Sequence, residues 1–413
     1  MTDDLGFQRL LRQALDDRRA QSLLRQRRVI ESSAGPIVHV DGRPYVNFSS
    51  NDYLGLRSHP VIVSASADAT RAHGAGSGAS ALVSGYSPLH ASAERALAAW
   101  KGTESSILLP SGYQANHAAV QAIAGITDAS GKRVRFLVDK LVHASLIDAI
   151  RSTGLTTGRG SPGAPGLRVF PHNGIDKLQR LLDEADADEL QVVVTESIFS
   201  MDGDAADLPA LVALKRLRRR RDPPFVLLVD EAHGSGVYGK DGAGYAAECG
   251  VAGEVDVFIV TLSKALGSIG GAVCASAEFC DAIVNFGRAY IYSTSVPPAV
   301  PAALEAALEV MRREPDRQVR VRAISRRVRE SLRAAGMMLP DGDSPIIPII
   351  LGSEDAAIME AKRLMDLGML VTPIRPPTVP RGSSRLRITL SSEHSDEQVD
   401  ALIRALTENE MSS

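Results

Sequence analysis

The sequence predicts an α/β protein with a mainly parallel central sheet in a large domain and a smaller C-terminal α+β domain. Three observations carry this expectation. From about residue 60, short runs that are apolar at nearly every position alternate with helical patterns, as a sheet covered on both faces demands. Pro297, Pro298 and Pro301 then interrupt the alternation. Beyond them, fewer strand-like runs mix with amphipathic helical patterns.

The elements follow in chain order. Phe7, Leu10, Leu11, Leu15, Leu23 and Leu24 stand at helical spacing among arginines, predicting an amphipathic helix over 7–28 that packs as an arm on a larger body. Buried strands are expected at 106–109, 135–138, 191–195, 225–229, 257–261 and 271–275. A helical region runs to about residue 336 with a break at 312–316, followed by strands at 346–351, 369–371 and 385–390 and helices at 354–367 and 396–408. The expected domains are a helical arm with short strands (1–57), a large domain (58–296) and a small C-terminal domain (297–413). The Gly/Ser/Thr/Pro-rich stretch 154–166 reads as an exposed loop. The basic run 215–221 ends a helix before Pro223, where cations offset the macrodipole.

Composition narrows the function. Lys plus Arg (46) nearly balances Asp plus Glu (49), which disfavours a protein that coats nucleic acid. No apolar run approaches the roughly 18–20 residues of a membrane span. The start Met1-Thr2-Asp3-Asp4 has neither the basic nor the apolar block of a secretory signal, so a cytoplasmic protein is expected. Cys249, Cys274 and Cys280 have no metal-ligand spacing and read as reduced thiols, with no metal expected.

The chemistry concentrates in four segments. In Phe225-Val-Leu-Leu-Val-Asp230-Glu-Ala-His233-Gly, an apolar strand ends in a carboxylate, and a histidine follows three residues later. A buried carboxylate there needs a cation or strong donors, which a protonated pyridine nitrogen supplies; a structural Asp capping the next turn, with a surface histidine, fits equally. In Val260-Thr261-Leu-Ser263-Lys264-Ala-Leu-Gly267, a second strand runs into a lone lysine among small and apolar residues. It reads either as an imine-forming amine or as an exposed loop lysine, and the nearby hydroxyls and glycines favour the amine beside a phosphate. A strand-end Asp 34 residues ahead of a strand-end Lys is the order that pyridoxal 5′-phosphate (PLP) enzymes use for the pyridinium partner and the Schiff-base lysine. Ser111-Gly112-Tyr113 opens a helix after a strand, where free N–H groups can cradle a phosphate, although alone it is a weak signal. His143, after the strand at 135–138, can lie on a cofactor ring or be an ordinary turn histidine.

Further motifs join these: Phe48-Ser-Ser-Asn51-Asp-Tyr53-Leu-Gly55, Gly85-Tyr86-Ser87 with His90, Thr195-Glu-Ser-Ile-Phe-Ser200-Met-Asp-Gly203-Asp204, and Tyr292-Ser-Thr-Ser. Together, over nearly the whole chain, they resemble the α-oxoamine synthases, PLP-dependent acyltransferases of the aspartate-aminotransferase type (fold type I). Ile374-Arg375-Pro-Pro-Thr378-Val-Pro and Arg385-Leu-Arg387-Ile-Thr-Leu resemble the biotin-pathway branch. The resemblance implies that Lys264 forms the Schiff base, Asp230 partners the pyridinium, and His143 stacks on the ring and serves catalysis and substrate. His233 and Ser200 are implied to hold the ring's phenolic oxygen, and Gly112, Tyr113 and Thr261 the phosphate. Asn51 and Arg387 match contacts to the amino-acid carboxylate, and Arg25 and Thr378 match substrate contacts. The segment 293–295 matches one that reaches a neighbouring subunit's cofactor, implying a homodimer with shared sites.

The implied reaction is decarboxylative condensation of L-alanine with pimeloyl-CoA or pimeloyl-acyl carrier protein, giving 8-amino-7-oxononanoate, CO2 and free thiol. A sister activity such as glycine C-acetyltransferase keeps every PLP residue and changes only the substrate walls. A noncatalytic PLP-fold module predicts loss of the lysine, which is present. The sequence departs from the family's pattern in a longer 154–166 connection, in Ser80-Ala81 where some relatives carry an arginine, and in Pro373.

Overall fold

A computed structural model describes residues 6–31, 35–154, 166–186, 188–218 and 225–408. Most of the 154–166 stretch and the end of the basic run thus lie outside the described residues. The chain divides into two compact units, one formed by 51–322 and the other by 1–50 together with 323–413.

A hairpin of β1 (Ile37–Val40) and β2 (Arg43–Asn47) comes first and belongs to the smaller unit. The larger unit holds β3 (Ser105–Leu109), β4 (Arg133–Asp139), β5 (Leu167–Phe170), β6 (Glu189–Glu196), β7 (Phe225–Asp230), β8 (Val257–Thr261) and β9 (Gly271–Ala275). They form one sheet in the order β3-β9-β8-β7-β6-β4-β5. Neighbours from β8 through β5 run parallel, and β9 is antiparallel to both β8 and β3. Strands β3, β4, β6, β7 and β8 therefore deliver their carboxyl ends to the same edge.

The core explains the sequence pattern. Every residue of β8 and β9 is buried, so alternation of polar and apolar residues is absent. The helix Gly112–Ala129 packs on the sheet through Ala115, Ala118, Ala119, Ala122 and Ile123, spaced at three and four residues. Alanine at these positions lets the helix approach the strands carrying Phe136, Val138 and Ile259 closely, and each of the larger buried side chains contributes roughly 1.5–3 kcal/mol. Cys274 and Cys280 are buried, and all three cysteines are free thiols.

In the smaller unit, β10 (Ile346–Gly352), β11 (Met369–Leu370), β12 (Thr372–Ile374) and β13 (Ser384–Thr389) complete two three-stranded sheets, β1-β2-β11 and β10-β13-β12. The strand expected at 369–371 is β11, and a further short strand, β12, follows it and pairs in a different sheet. Helix Ala299–Arg313 starts directly after Pro297 and Pro298 and lies within the larger unit. The helix Asp316–Ala334 passes from the larger unit into the smaller.

The N-terminal helix is shorter than its periodicity suggests. It spans Gly6–Ala20 rather than 7–28, and the backbone leaves helical geometry at Ser22, with φ at 56°. Arg375 takes the carbonyls of Ser22 and Leu24, which an ongoing helix would need. None of its residues is buried, and Phe7, Leu10, Leu11 and Leu15 remain exposed, so within this chain it does not pack as expected. No helix among the described residues is long and apolar enough to cross a membrane.

Candidate active site

The carboxyl edge of the large sheet gathers Gly112, His143, Ser200, Asp230, His233, Thr261 and Lys264, each at the end of a strand or in the turn that follows it. This is where ligands bind in open α/β sheets.

Asp230 ends β7 and is buried. Its Oδ1 accepts the Ala232 N–H at 3.0 Å, and its Oδ2 accepts from Asn116 Nδ2 at 2.9 Å. Asn116 also donates to Ser145 Oγ at 2.8 Å, and Ser145 Oγ lies 2.8 Å from His143 Nδ1. Because the Ser145 backbone N–H also points at Nδ1, that nitrogen is an acceptor and the His143 proton sits on Nε2. His143 stays solvent-accessible, yet the protein packed around it lowers its pKa; Lys264 adds to that effect, while Asp230 and Asp148 oppose it. A neutral imidazole with a free Nε2–H results.

Lys264 Nζ lies 3.0 Å from His233 Nε2, and His233 Nδ1 lies 2.6 Å from the Tyr53 hydroxyl. An ammonium at Lys264 can only donate, so His233 Nε2 accepts, its Nδ1–H donates to Tyr53, and Tyr53 donates onward to Asn51 Oδ1 at 3.3 Å. One line of hydrogen bonds thus links Lys264 to Asn51.

Glu196 ends β6, paired in register with Asp230. Burial and the neighbouring Asp230 push its pKa well above the carboxylate range, although the backbone N–H groups of His143 and Ser200 donate to it. Among the described residues, its Oε1 is buried without a hydrogen-bond partner.

The residues present fit PLP. At the start of helix Gly112–Ala129, Ser111 caps through its side chain to the Gln114 N–H. A Cβ on Gly112 would overlap the Thr261 hydroxyl, and one on Gly271 would overlap the Gly112 backbone. That open N-terminus beside a hydroxyl suits a phosphate. Asp230 offers a braced carboxylate for a pyridinium, and Lys264 an amine. Tyr113 is exposed, with its hydroxyl 3.1 Å from Asp148 Oδ2 and its ring stacked on His117 at 4.7 Å. Ser293 Oγ accepts from Gln114 Nε2 at 3.0 Å, next to the same helix start.

The remaining predicted residues lie in the smaller unit. Arg25 Nη2 donates to Thr378 Oγ1 at 3.1 Å. Arg387 is buried on β13. Arg375 has its pKa lowered, first by burial and then by the like charge of Arg25.

Sequence reasoning assigned no role to Asn116, Ser145, Tyr53 or Glu196. Asn116 carried a faint signal as a polar residue on the alanine face of its helix. The partners of the other three are recognised only once the chain has folded.

Known proteins place this arrangement. The sequence matches the aminotransferase class I and II family over residues 43–406. An 8-amino-7-oxononanoate synthase of Trichlorobacter lovleyi is 40% identical over 96% of this chain and 97% of its own length. One from Pseudomonas putida is 42% identical over 95% of each chain. A serine palmitoyltransferase variant from S. paucimobilis, solved with bound PLP–myriocin, superposes with a TM-score of 0.84 at 26% identity, covering 98% of this chain and 97% of its own. The chain belongs to the aminotransferase class I and II family, with the fold type I architecture, and within it to the PLP-dependent 8-amino-7-oxononanoate synthases.

Proposed function

We propose that this protein is an acyltransferase of biotin biosynthesis that condenses L-alanine with a pimeloyl thioester, releasing 8-amino-7-oxononanoate, CO2 and free thiol. The observation that carries the reading is the braced Asp230 and the hydrogen-bonded Lys264 at one sheet edge, in a chain about 40% identical to synthases of that name.

Bound PLP supplies an electron sink for negative charge developing at the alanine Cα. Gly112, Tyr113 and Thr261 would hold its phosphate, Ser200 and His233 its phenolic oxygen, and Asp230 its pyridine nitrogen. Asp230 can keep that nitrogen protonated because Asn116 and the Ala232 N–H fix both of its oxygens. Lys264 Nζ would take the Cα proton of the bound amino acid, with His233 as its hydrogen-bond partner. His143 presents Nε2–H and donates to the thioester oxygen as charge builds there. Asn51 and Arg387 bind the alanine carboxylate, Arg387 through its planar fork.

Acyl-chain choice rests on Arg25, Thr378 and Arg375. Burial and the nearby Arg25 guanidinium disfavour the charge on Arg375, so the pair invites an anion, and the free carboxylate of a pimeloyl chain is one. An acetyl group has no such charge, which favours pimeloyl thioester over the glycine C-acetyltransferase pairing. The donor is pimeloyl-CoA or pimeloyl-acyl carrier protein. The exposed apolar face of helix Gly6–Ala20 supports a homodimer, and the same reading puts the enzyme in the cytoplasm.

Thiol release and product mass from the PLP-loaded protein test the reading, with L-alanine plus pimeloyl-CoA set against glycine plus acetyl-CoA. Turnover of only the first pair is expected. Turnover of only the second would keep the PLP chemistry and overturn the assignment of Arg25 and Thr378.

A further inference from the structure

His172, two residues after β5, has no part in the chemistry above. Its Nδ1 lies 3.1 Å from Asp139 Oδ1 and its Nε2 lies 2.6 Å from Asp204 Oδ2, while its ring stands edge-on to Phe199 at 4.4 Å. With a carboxylate at each nitrogen, only the doubly protonated ring donates to both. Burial disfavours that cation, but the two hydrogen-bonded carboxylates more than offset it, and the pKa is pushed up to about 10. Among the described residues, the charged groups facing the ring are Asp139, from the end of β4, and Asp204, from the turn after β6; Phe199 and Asn173 also border it.

Each of the two aspartates stands in a turn that ends at a candidate cofactor contact, Asp139 shaping its turn through its carboxylate and Asp204 through its backbone carbonyl. Asp139 accepts the N–H groups of Leu141 and Asn173 at 2.9 Å each, and its carbonyl takes the Val142 N–H, which sets the path to His143. Asp204 closes the turn holding Ser200: the Phe199 N–H donates to its carbonyl at 2.9 Å, and the Gly203 N–H to Phe199 O at 2.8 Å. Asn173 adds a bond from Nδ2 to Ala205 O at 3.0 Å. Glu196 ties the same two turns from the sheet side, through the N–H groups of His143 and Ser200.

Resting on the PLP reading of this site, we propose that His172 is a positioning residue: a cation bridging Asp139 and Asp204 that fixes the turns carrying His143 and Ser200 and so presets their spacing for the cofactor ring. Even a small displacement of either turn weakens cofactor binding and slows turnover sharply, because both depend on closely held geometry.

The test compares the wild-type chain with His172→Asn and Asp204→Asn, the second keeping shape and an acceptor while removing one charge. Histidine-labelled, cofactor-free protein is titrated by NMR, and PLP binding is followed by the absorbance of the Lys264-bound cofactor across about pH 6 to 10. In the wild type, the His172 imidazolium should persist to about pH 10, and in Asp204→Asn it should titrate at least a unit lower. PLP dissociation constants should rise on the order of tenfold, at every pH in His172→Asn and above the lowered His172 pKa in Asp204→Asn. Asp204→Asn should recover towards wild type as the pH falls and His172 recharges, whereas His172→Asn should not. Wild-type PLP affinity in both variants, or a loss in Asp204→Asn that ignores pH, overturns the proposal. If the wild type forms no Lys264-bound PLP, the underlying cofactor reading falls and this proposal with it. Should His172→Asn fail to fold, Asp204→Asn alone decides.

Discussion

The carboxyl edge of the large sheet and the Arg25–Thr378 region of the smaller unit solve opposite electrostatic problems. At the sheet edge, charge is braced by protein: Asp230 has a donor on each oxygen, and Lys264 leads through His233 and Tyr53 to Asn51. In the Arg25 region, like charges stand close, and burial together with the charge of Arg25 lowers the pKa of Arg375. One region is preorganised for a ligand of fixed shape that stays through many turnovers. The other leaves repulsion for a passing anion to relieve.

Four substitutions sharpen or break this contrast. Lys264→Ala should have the largest effect, abolishing turnover and the absorbance of lysine-bound cofactor while leaving the circular-dichroism melt near wild type, since the side chain is only half-buried. Residual turnover would remove the lysine from the chemistry. Asp230→Asn keeps the shape and the Ala232 contact but loses the charge, and kcat should drop by roughly 10²–10³, measured at saturating alanine and PLP. A loss confined to KM would mean that the carboxylate only binds.

Arg25→Ala probes the other region. The KM for pimeloyl-CoA should rise about tenfold with kcat changed less than about twofold, the pattern of a removed binding contact. A fall in kcat instead would tie Arg25 to the reacting centre.

Glu196→Gln should have the smallest effect, and its sign depends on pH. The folded-state pKa of Glu196 is raised, so its stabilising contribution is full below about pH 4.5, the unfolded value, and is lost as pH climbs through the raised one. Glutamine copies the protonated form and avoids that loss. In cofactor-free protein, the melting temperature of the variant should exceed wild type by a few degrees at about pH 9 and converge with it in acid. A constant offset at every pH would mean that Glu196 does not hold a proton at neutrality.

The parts of this design that were legible in sequence are those written locally. Strands such as Val257–Thr261 and Gly271–Ala275 announce themselves because burial on both faces forces an unbroken apolar run. The short strand Leu167–Phe170 gives no such signal: among the described residues it pairs only with β4 at the sheet's edge, it exposes Val169, and it therefore lacks an apolar run. The helical pattern over 7–28 overran because Leu23 and Leu24 continue the apolar spacing, whereas the competing claim of Arg375 on the Ser22 and Leu24 carbonyls comes from some 350 residues away. Asp230, His233 and Lys264 stood out as strand-end residues in small-residue surroundings. Their supports did not, because Asn116 reaches Asp230 across 114 positions and Tyr53 reaches His233 across 180, and neither leaves a local pattern.

The antiparallel strand β9 has a consequence for what can change here over time. Thr261 and Gly271 form the last rung of the β8–β9 ladder, and Leu262 N–H closes the loop onto Gly270 O at 3.0 Å. Within it, Ser268 N–H returns to Leu262 O and Gly267 N–H to Lys264 O, both at 2.9 Å. Lys264 therefore sits in a span whose two ends are stitched together. Its neighbours can drift in identity, but adding or removing one residue would slip the ladder or swing the amine away, so descendants of this chain can vary the spelling of the loop and not its length.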